Sequence, residues 1–150
     1  MGVTFKLASV PDINLLVELM REFYEFDHHT FDEWAARSAL QKILGDNSFG
    51  KVWLIQLDGS PVGYVVLTLG FSLMYHGRDA FIDEIYVKES YRGRGIGKRG
   101  LQFVEGACRT LGVQALHLEV GRENTVAQTV YRKIGFADHD QYLMTKWLAS

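Results

Sequence analysis

From Tyr91 to Gly100 the chain reads Tyr-Arg-Gly-Arg-Gly-Ile-Gly-Lys-Arg-Gly, with glycines at 93, 95, 97 and 100 and positive charge at Arg92, Arg94, Lys98 and Arg99. Glycine at this density lets a backbone curl with little side-chain obstruction. A strand-like run, Ala80 to Val87, precedes the loop, and a helix-like run to about Leu111 follows it. The loop therefore opens a helix, whose first N–H groups lack carbonyl partners and form a ready anion site. Guanidinium and ammonium groups around those amides suit a phosphate-bearing ligand. A second chemical group sits inside the strand-like run, where Asp83 and Glu84 are adjacent carboxylates. On a regular strand their side chains point to opposite faces, so only one can readily serve a given site. The third is an acid-rich stretch from Asp12 to Asp46, with eight acidic residues against three basic ones, suited to receiving a cation.

Two familiar phosphate motifs fit the loop poorly. A Walker A loop requires GxxxxGK[ST], but Gly97-Lys98 is followed by Arg99 and no upstream glycine is correctly placed. The dinucleotide fingerprint GxGxxG is literally present as Gly95, Gly97 and Gly100, and Glu119 lies about where a ribose-binding acid belongs. A dinucleotide loop follows its strand almost at once, however, whereas here the seven residues Lys88 to Arg94 intervene. The unit also begins too late in the chain to leave room for the remaining strands of that fold. A plain tight turn would account for the glycines but not for their basic neighbours.

The elements that must position these groups are legible from periodicity. Val3 to Ala8 alternates as a first strand, with Val3, Phe5 and Leu7 on one face. Ser9 or Asp12 caps an amphipathic helix running to about Phe26, with Pro11 in its first turn and Ile13, Leu16, Met20 and Phe23 on its apolar stripe. Thr30 and Glu33 match a capping box for a second helix, whose apolar side is Trp34, Leu40, Ile43 and Leu44. Lys51 to Leu57 and Pro61 to about Leu69 are strands joined by Asp58-Gly59-Ser60, a strong hairpin signal. Phe71 to Gly77 reads as a loop. After the glycine loop, Ile96, Leu101, Val104, Cys108 and Leu111 recur at helical spacing, and Gly112 closes that helix. A strand from Ala115 to Val120, a short helix from Asn124 to Ile134 ended by Gly135, and a last strand from Tyr142 to Leu148 complete the chain. This order predicts an α/β protein with a mixed sheet and helices on both faces.

Composition bounds the class. The chain has 150 residues, 47% hydrophobic and 23% charged, as expected of one soluble domain spanning 1–150. A formal charge of −2 gives no reason to expect a nucleic-acid or membrane partner. The lone cysteine, Cys108, excludes an internal disulfide and falls on an apolar stripe, so it reads as core. With no signal-like segment or apolar run of membrane-spanning length, a cytoplasmic location is expected. His28, His29, His76, His117 and His139 lack metal-ligand spacing, so no metal is assigned.

Arg92-x-x-Gly95-x-Gly97 matches the [QR]xxGx[GA] signature of the GCN5-related N-acetyltransferase (GNAT) family. The preceding run Ile82 to Val87 resembles that family's fourth strand. Asn124, Ala127 and Tyr131-Arg132-Lys133-Ile134-Gly135-Phe136 resemble its later segment, with Val130 where leucine is usual. The resemblance covers nearly the whole chain. It implies a central mixed, mostly antiparallel sheet of six or seven strands flanked by about four helices. It also implies acetyl-coenzyme A as co-substrate, held by Arg92, Gly93, Arg94, Gly95, Ile96, Gly97 and Lys98. The pantetheine arm would lie along Ile85, Tyr86 and Val87, where a bulge splays the fourth strand from the fifth, and the Val87 N–H would face the reacting carbonyl.

In the resembling family a tyrosine matching Tyr131 protonates the departing thiolate. Asn124 would hold the pantetheine or cap the helix that begins there. Asp83 matches an acid present in several small-amine acetyltransferases and is the favoured general base, with Glu84 in reserve. The family builds its acceptor pocket at the end of the first helix, where Tyr24, Glu25, Asp27 and His28 stand, and Glu119 is a further acid for that pocket. The expected reaction is direct acetyl transfer to a primary amine, with a cationic small molecule such as a polyamine as the suited acceptor. A peptide or protein amine, or a non-catalytic acetyl-coenzyme A sensor, are the alternatives. The resemblance also allows a homodimer.

Overall fold

The computed structural model describes residues 2–149. The chain divides into two compact units, the first ending at Leu118 and the second beginning at Glu119. The first holds β1 (Val3–Leu7), α1 (Ile13–Phe26), α2 (Glu33–Gly45), β2 (Gly50–Leu57), β3 (Ser60–Ser72), β4 (Gly77–Val87), α3 (Ile96–Thr110) and β5 (Ala115–His117). The strands form one sheet in the order β1-β2-β3-β4-β5. Every pair is antiparallel except β4 with β5, which is parallel. The sheet is mixed and mostly antiparallel as expected, but it has five strands among the described residues rather than six or seven.

Sequence explains most of this arrangement. Asp58 and Gly59 take φ of 49° and 85°, the left-handed pair that a two-residue hairpin turn requires, and they join β2 to β3. Both strands are buried on both faces, which is why each reads as an unbroken apolar run. Val52, Leu54, Tyr64, Val66 and Tyr86 face α1 and α2, where Leu16, Val17, Leu19, Met20 and Leu40 meet them. The alternate residues Ile55 and Leu57 face the other way and pack against Ile96 of α3, joined by Val62, which a β2–β3 bulge leaves unpaired and turns to that side. Phe5 stacks on Phe103 of α3 at 4.4 Å between ring centroids. Gly100 lets α3 approach closely, since a Cβ there would lie 3.5 Å from Ile85 and 3.8 Å from both Ile55 and Phe5. Helices thus cover both faces, and the buried Cys108 belongs to the α3 stripe, where burial pushes its thiol up to about 11.

Several expectations shift. The second helix is capped by Asp32, whose Oδ1 accepts from the Ala35 N–H at 3.1 Å, and not by Thr30. The helix therefore starts at Glu33 and leaves Trp34 78% exposed, while Leu40 alone among its residues is fully buried. The Phe71–Gly77 stretch is not all loop: β3 runs to Ser72 and β4 begins at Gly77, so only a tight turn separates them. β5 stops at His117 instead of Val120.

The second unit contains α4 (Thr125–Lys133), capped by Asn124, whose Oδ1 accepts from the Ala127 N–H at 3.2 Å. Gly135, at φ 108°, ends it. Arg132 then grips Asp138 through two hydrogen bonds of 2.8 and 2.7 Å. The strand expected from Tyr142 to Leu148 does not form, and those residues carry no regular secondary structure. A strand is stable only when paired, and this unit taken by itself contains no strand to pair with.

Candidate active site

The glycine loop lies between β4 and α3, beyond the C-terminal end of β4. After a 3₁₀ turn at Glu89–Tyr91, Gly93 and Gly95 adopt φ of 78° and 77°. Gly95 is the N-cap of α3, and the Arg99 N–H is bonded to its carbonyl at 3.1 Å. The amides of Ile96, Gly97 and Lys98 come before that bond and open outward. Ile96, 1% exposed, anchors the helix start from beneath, while Lys98 and Arg94 stay at the surface. Arg94 lies over the Tyr91 ring at 5.2 Å and donates to the Ser90 carbonyl at 3.4 Å. Curled backbone, outward amides and surface cations fit the phosphates of coenzyme A. Arg92 behaves differently. Its guanidinium sits 4.1 Å over Phe26 of α1 and 5.5 Å over Tyr86, and its Nε donates to the Val87 carbonyl at 2.9 Å, which ties the loop to α1 and β4.

The edge of β4 next to the loop is open. The β4–β5 pairing runs only from Asp79↔Ala115 to Phe81↔His117, so Ile82 to Val87 continue without a β5 partner. The Lys88 N–H donates to Val62 of β3, and a Cβ at Gly63 would meet the Tyr86 carbonyl oxygen at 2.1 Å. The backbone polar groups of Tyr86 and Lys88 are therefore turned toward β3. By the alternation of a strand, those of Val87 and Ile85 face the open edge. An extended arm laid along that edge would meet Ile85 and Val87 through the backbone, and Tyr86 would not contribute its own.

The two carboxylates are separated by a bulge. β3 pairs Val66 with Glu84 and then Leu67 with Ile82, which leaves Asp83 as the extra residue. Strict alternation is thereby broken. Glu84 turns to the α1 side, where its Oε1 accepts from Tyr64 at 2.7 Å and its Oε2 from Tyr24. Asp83 makes no hydrogen bond or ion pair among the described residues. The bulge lies on the β3 side of β4, whereas the splay from β5 arises because β5 ends at His117. Burial is the largest influence on both acids and raises each above the ordinary carboxylate range. At Glu84 the two phenols oppose that rise and the charge of Asp83 adds to it. Burial, followed by the charge of Glu84 and its hydrogen bonds, holds the phenols of Tyr24 and Tyr64 far above their usual value.

The acidic end of α1 is partly at the site. Glu22, Glu25 and Phe26 line an open cavity of ≈ 650 Å³ with Tyr86, Lys88 and Glu89. Glu22 accepts from the Tyr86 hydroxyl at 3.2 Å and pairs with Lys88 at 3.5 Å. Asp27 and His28 lie past the helix end, exposed and away from that lining, with Asp27 paired to His29 at 3.1 Å. Glu119 is exposed and lies outside the shortened β5, in the second unit. In that unit Tyr131 packs edge-on against Phe136 at 6.0 Å, and burial raises its phenol. Among the described residues no group of three or more His, Cys, Asp or Glu could hold a metal ion, and no helix is long and apolar enough to cross a membrane. Sequence reading missed Tyr64 and Glu22. Tyr64 sits in an apolar run where an aromatic residue reads as core, and only its single hydroxyl hinted at a buried polar partner.

Residues 13–136 match the model of a family described as the acetyltransferase (GNAT) family. Thialysine N-epsilon-acetyltransferase of Bos taurus is 26% identical over 145 residues, spanning 91% of this chain and 85% of the relative. An integron cassette protein from the mobile metagenome of Cole Harbour salt marsh superposes with a TM-score of 0.86 at 37% identity, covering 97% of this chain and 91% of that one. Aminoglycoside N-acetyltransferase AAC(6′)-Iy, solved in complex with CoA, shares the fold with a TM-score of 0.80 at 16% identity, over 99% and 96% of the two chains.

Proposed function

The chain belongs to the GNAT family of acetyltransferases and uses acetyl-coenzyme A, and from that premise we propose that it acetylates the primary amine of a small cationic molecule such as a polyamine. The observation that carries this reading is the open edge of β4, which runs from Asp83 to the glycine loop and brings a carboxylate to one end of a coenzyme-shaped track. Glu22, Glu25 and Glu89 around the adjoining cavity favour a cationic acceptor. A relative named for the ε-nitrogen of thialysine supports a small amine acceptor.

Acetyl-coenzyme A, when bound, supplies the activated acyl carbon and a thiolate leaving group. The residues of this chain supply the rest. The loop amides of Ile96, Gly97 and Lys98, with Gly93, Gly95 and Arg94, hold the phosphates. Ile85 and Val87 orient the extended arm, and the Val87 N–H donates to the reacting carbonyl oxygen. An amine arrives as ammonium and must lose a proton before it can attack, and Asp83 takes that proton directly or through water. The nitrogen sheds two protons in all. The second balances the proton that Tyr131, matched to the family tyrosine, gives to sulfur.

Free-thiol release from acetyl-coenzyme A, measured with a panel of polyamines, lysine-like amines, aminoglycosides and peptides, tests the assignment. Turnover highest with small polycations is the expected result. Preference for peptide amines would replace the acceptor class. Tight cofactor binding with no turnover on any amine would favour a sensor instead.

A further inference from the structure

Two carboxylates stand side by side at the bulge of β4, and their surroundings divide the labour between them. Glu84 is enclosed by three elements: Tyr64 reaches its Oε1 from β3 at 2.7 Å, Tyr24 reaches its Oε2 from α1, and β4 carries Glu84 itself. Tyr64 is 0% exposed and Glu84 is partly buried. A phenol gives one proton, and with each of these committed to a different oxygen both favour the charged form of Glu84. Each phenol donor works against protonation of Glu84, and Asp83 has no such donor. Asp83 is the unpaired residue of the bulge; its side chain reaches solvent although the protein packed around it partly desolvates the carboxylate, and no protein donor meets it.

We propose that Tyr64 and Tyr24 fix Glu84 as a positioning carboxylate that locks the bulge and sets the charge beside Asp83, so that Asp83 alone exchanges the acceptor's proton. Tyr64 is thereby a positioning residue of the site although no ligand can touch it. Glu84 keeps regular register with Val66, on the face shared by Tyr64 and Tyr86, and the bulge begins next to it at Asp83. The two charges repel: that of Asp83 adds to the rise at Glu84, while desolvation is what raises Asp83. The titratable groups facing the pair are Tyr24 from α1 and Tyr64 from β3, both phenols held far above their usual range, whereas the Tyr86 hydroxyl donates to Glu22.

The proposal rests on the acetyl-transfer reading, so its test includes a readout independent of turnover. Carboxyl-carbon NMR titrations of the wild type, Glu84→Gln and Tyr64→Phe would follow both acids, alongside the pH dependence of kcat/KM. Glu84→Gln, by relieving the repulsion between the two charges, should lower the titration midpoint of Asp83 and carry the acid limb of kcat/KM down with it. Tyr64→Phe, which removes one donor to the charged form, should raise the midpoint of Glu84. Asp83→Asn should cost about 100-fold or more in kcat. A Glu84→Gln variant that loses as much kcat as Asp83→Asn while the midpoint of Asp83 stays in place would overturn the proposal and make Glu84 the base. If no amine is turned over by the wild type, the acetyl-transfer reading fails, and the NMR midpoints still decide the relation between the two acids.

Discussion

The two ends of α3 offer a matched pair of glycines. Gly95 caps the N-terminus at φ 77° and Gly112 follows the C-terminus at φ 75°, and a Cβ at either would meet nothing within 4 Å. Replacing either by alanine therefore adds no clash and imposes the same left-handed strain, roughly 1–2 kcal/mol. Each variant should melt about 2–8 °C below the wild type, from roughly 2–4 °C per kcal/mol for a chain of this size. Their ligand binding should diverge. The methyl group of Gly95→Ala projects into the open space before the α3 amides, where phosphates would sit, whereas that of Gly112→Ala lies at the far end of the helix. Calorimetric titration with coenzyme A should show Gly112→Ala within about twofold of the wild type. Gly95→Ala should bind about tenfold more weakly or worse, a loss of about 1.4 kcal/mol. Equal affinities in two equally destabilised variants would refute the placement of the phosphates at this helix start.

Tyr131→Phe should lower kcat by about 10- to 100-fold while leaving the KM for acetyl-coenzyme A nearly unchanged, because only a proton donor is lost; steady-state kinetics at saturating amine would show it. Gly63→Ala would drive a Cβ to 2.1 Å from the Tyr86 carbonyl oxygen, so β3 and β4 must part beside Val87; denaturant unfolding should reveal a loss of about 3 kcal/mol or more, together with depressed turnover. Asp83 binds its proton more tightly in the folded chain than in the unfolded one, so the stability it contributes is full below the ordinary carboxylate range and is lost as pH rises through its folded value. Asp83→Asn should therefore melt above the wild type near pH 8, with the gap closing toward pH 4, in melting curves taken across that range.

Local chemistry made much of this protein legible in its sequence. The Asp58-Gly59 turn, the glycines bracketing α3, the Asn124 cap and the apolar stripes of α1 and α3 each follow from residue types a few positions apart. The glycine loop with its cations was readable for the same reason, since a helix N-terminus and its flanking charges are contiguous in the chain. Strand ends were less so. The lengths of β4 and β5 and the fate of Tyr142–Leu148 depend on which strand finds a partner, and pairing joins residues far apart in sequence.

The carboxylates mark the boundary most sharply. That Asp83 and Glu84 could move a proton was evident from their side chains. The division between them was not, because alternation alone says only that neighbours face opposite ways. The packing of α1 and β3 on β4 brought Glu84 two tyrosines, 20 and 60 positions away in the chain, and a one-residue register slip beside it left Asp83 unpaired. The amino-acid sequence by itself determined which groups carry charge, protons and flexible backbone. Tertiary structure decided which are buried against donors and which remain open, since desolvation and hydrogen bonding depend on what the rest of the chain brings near.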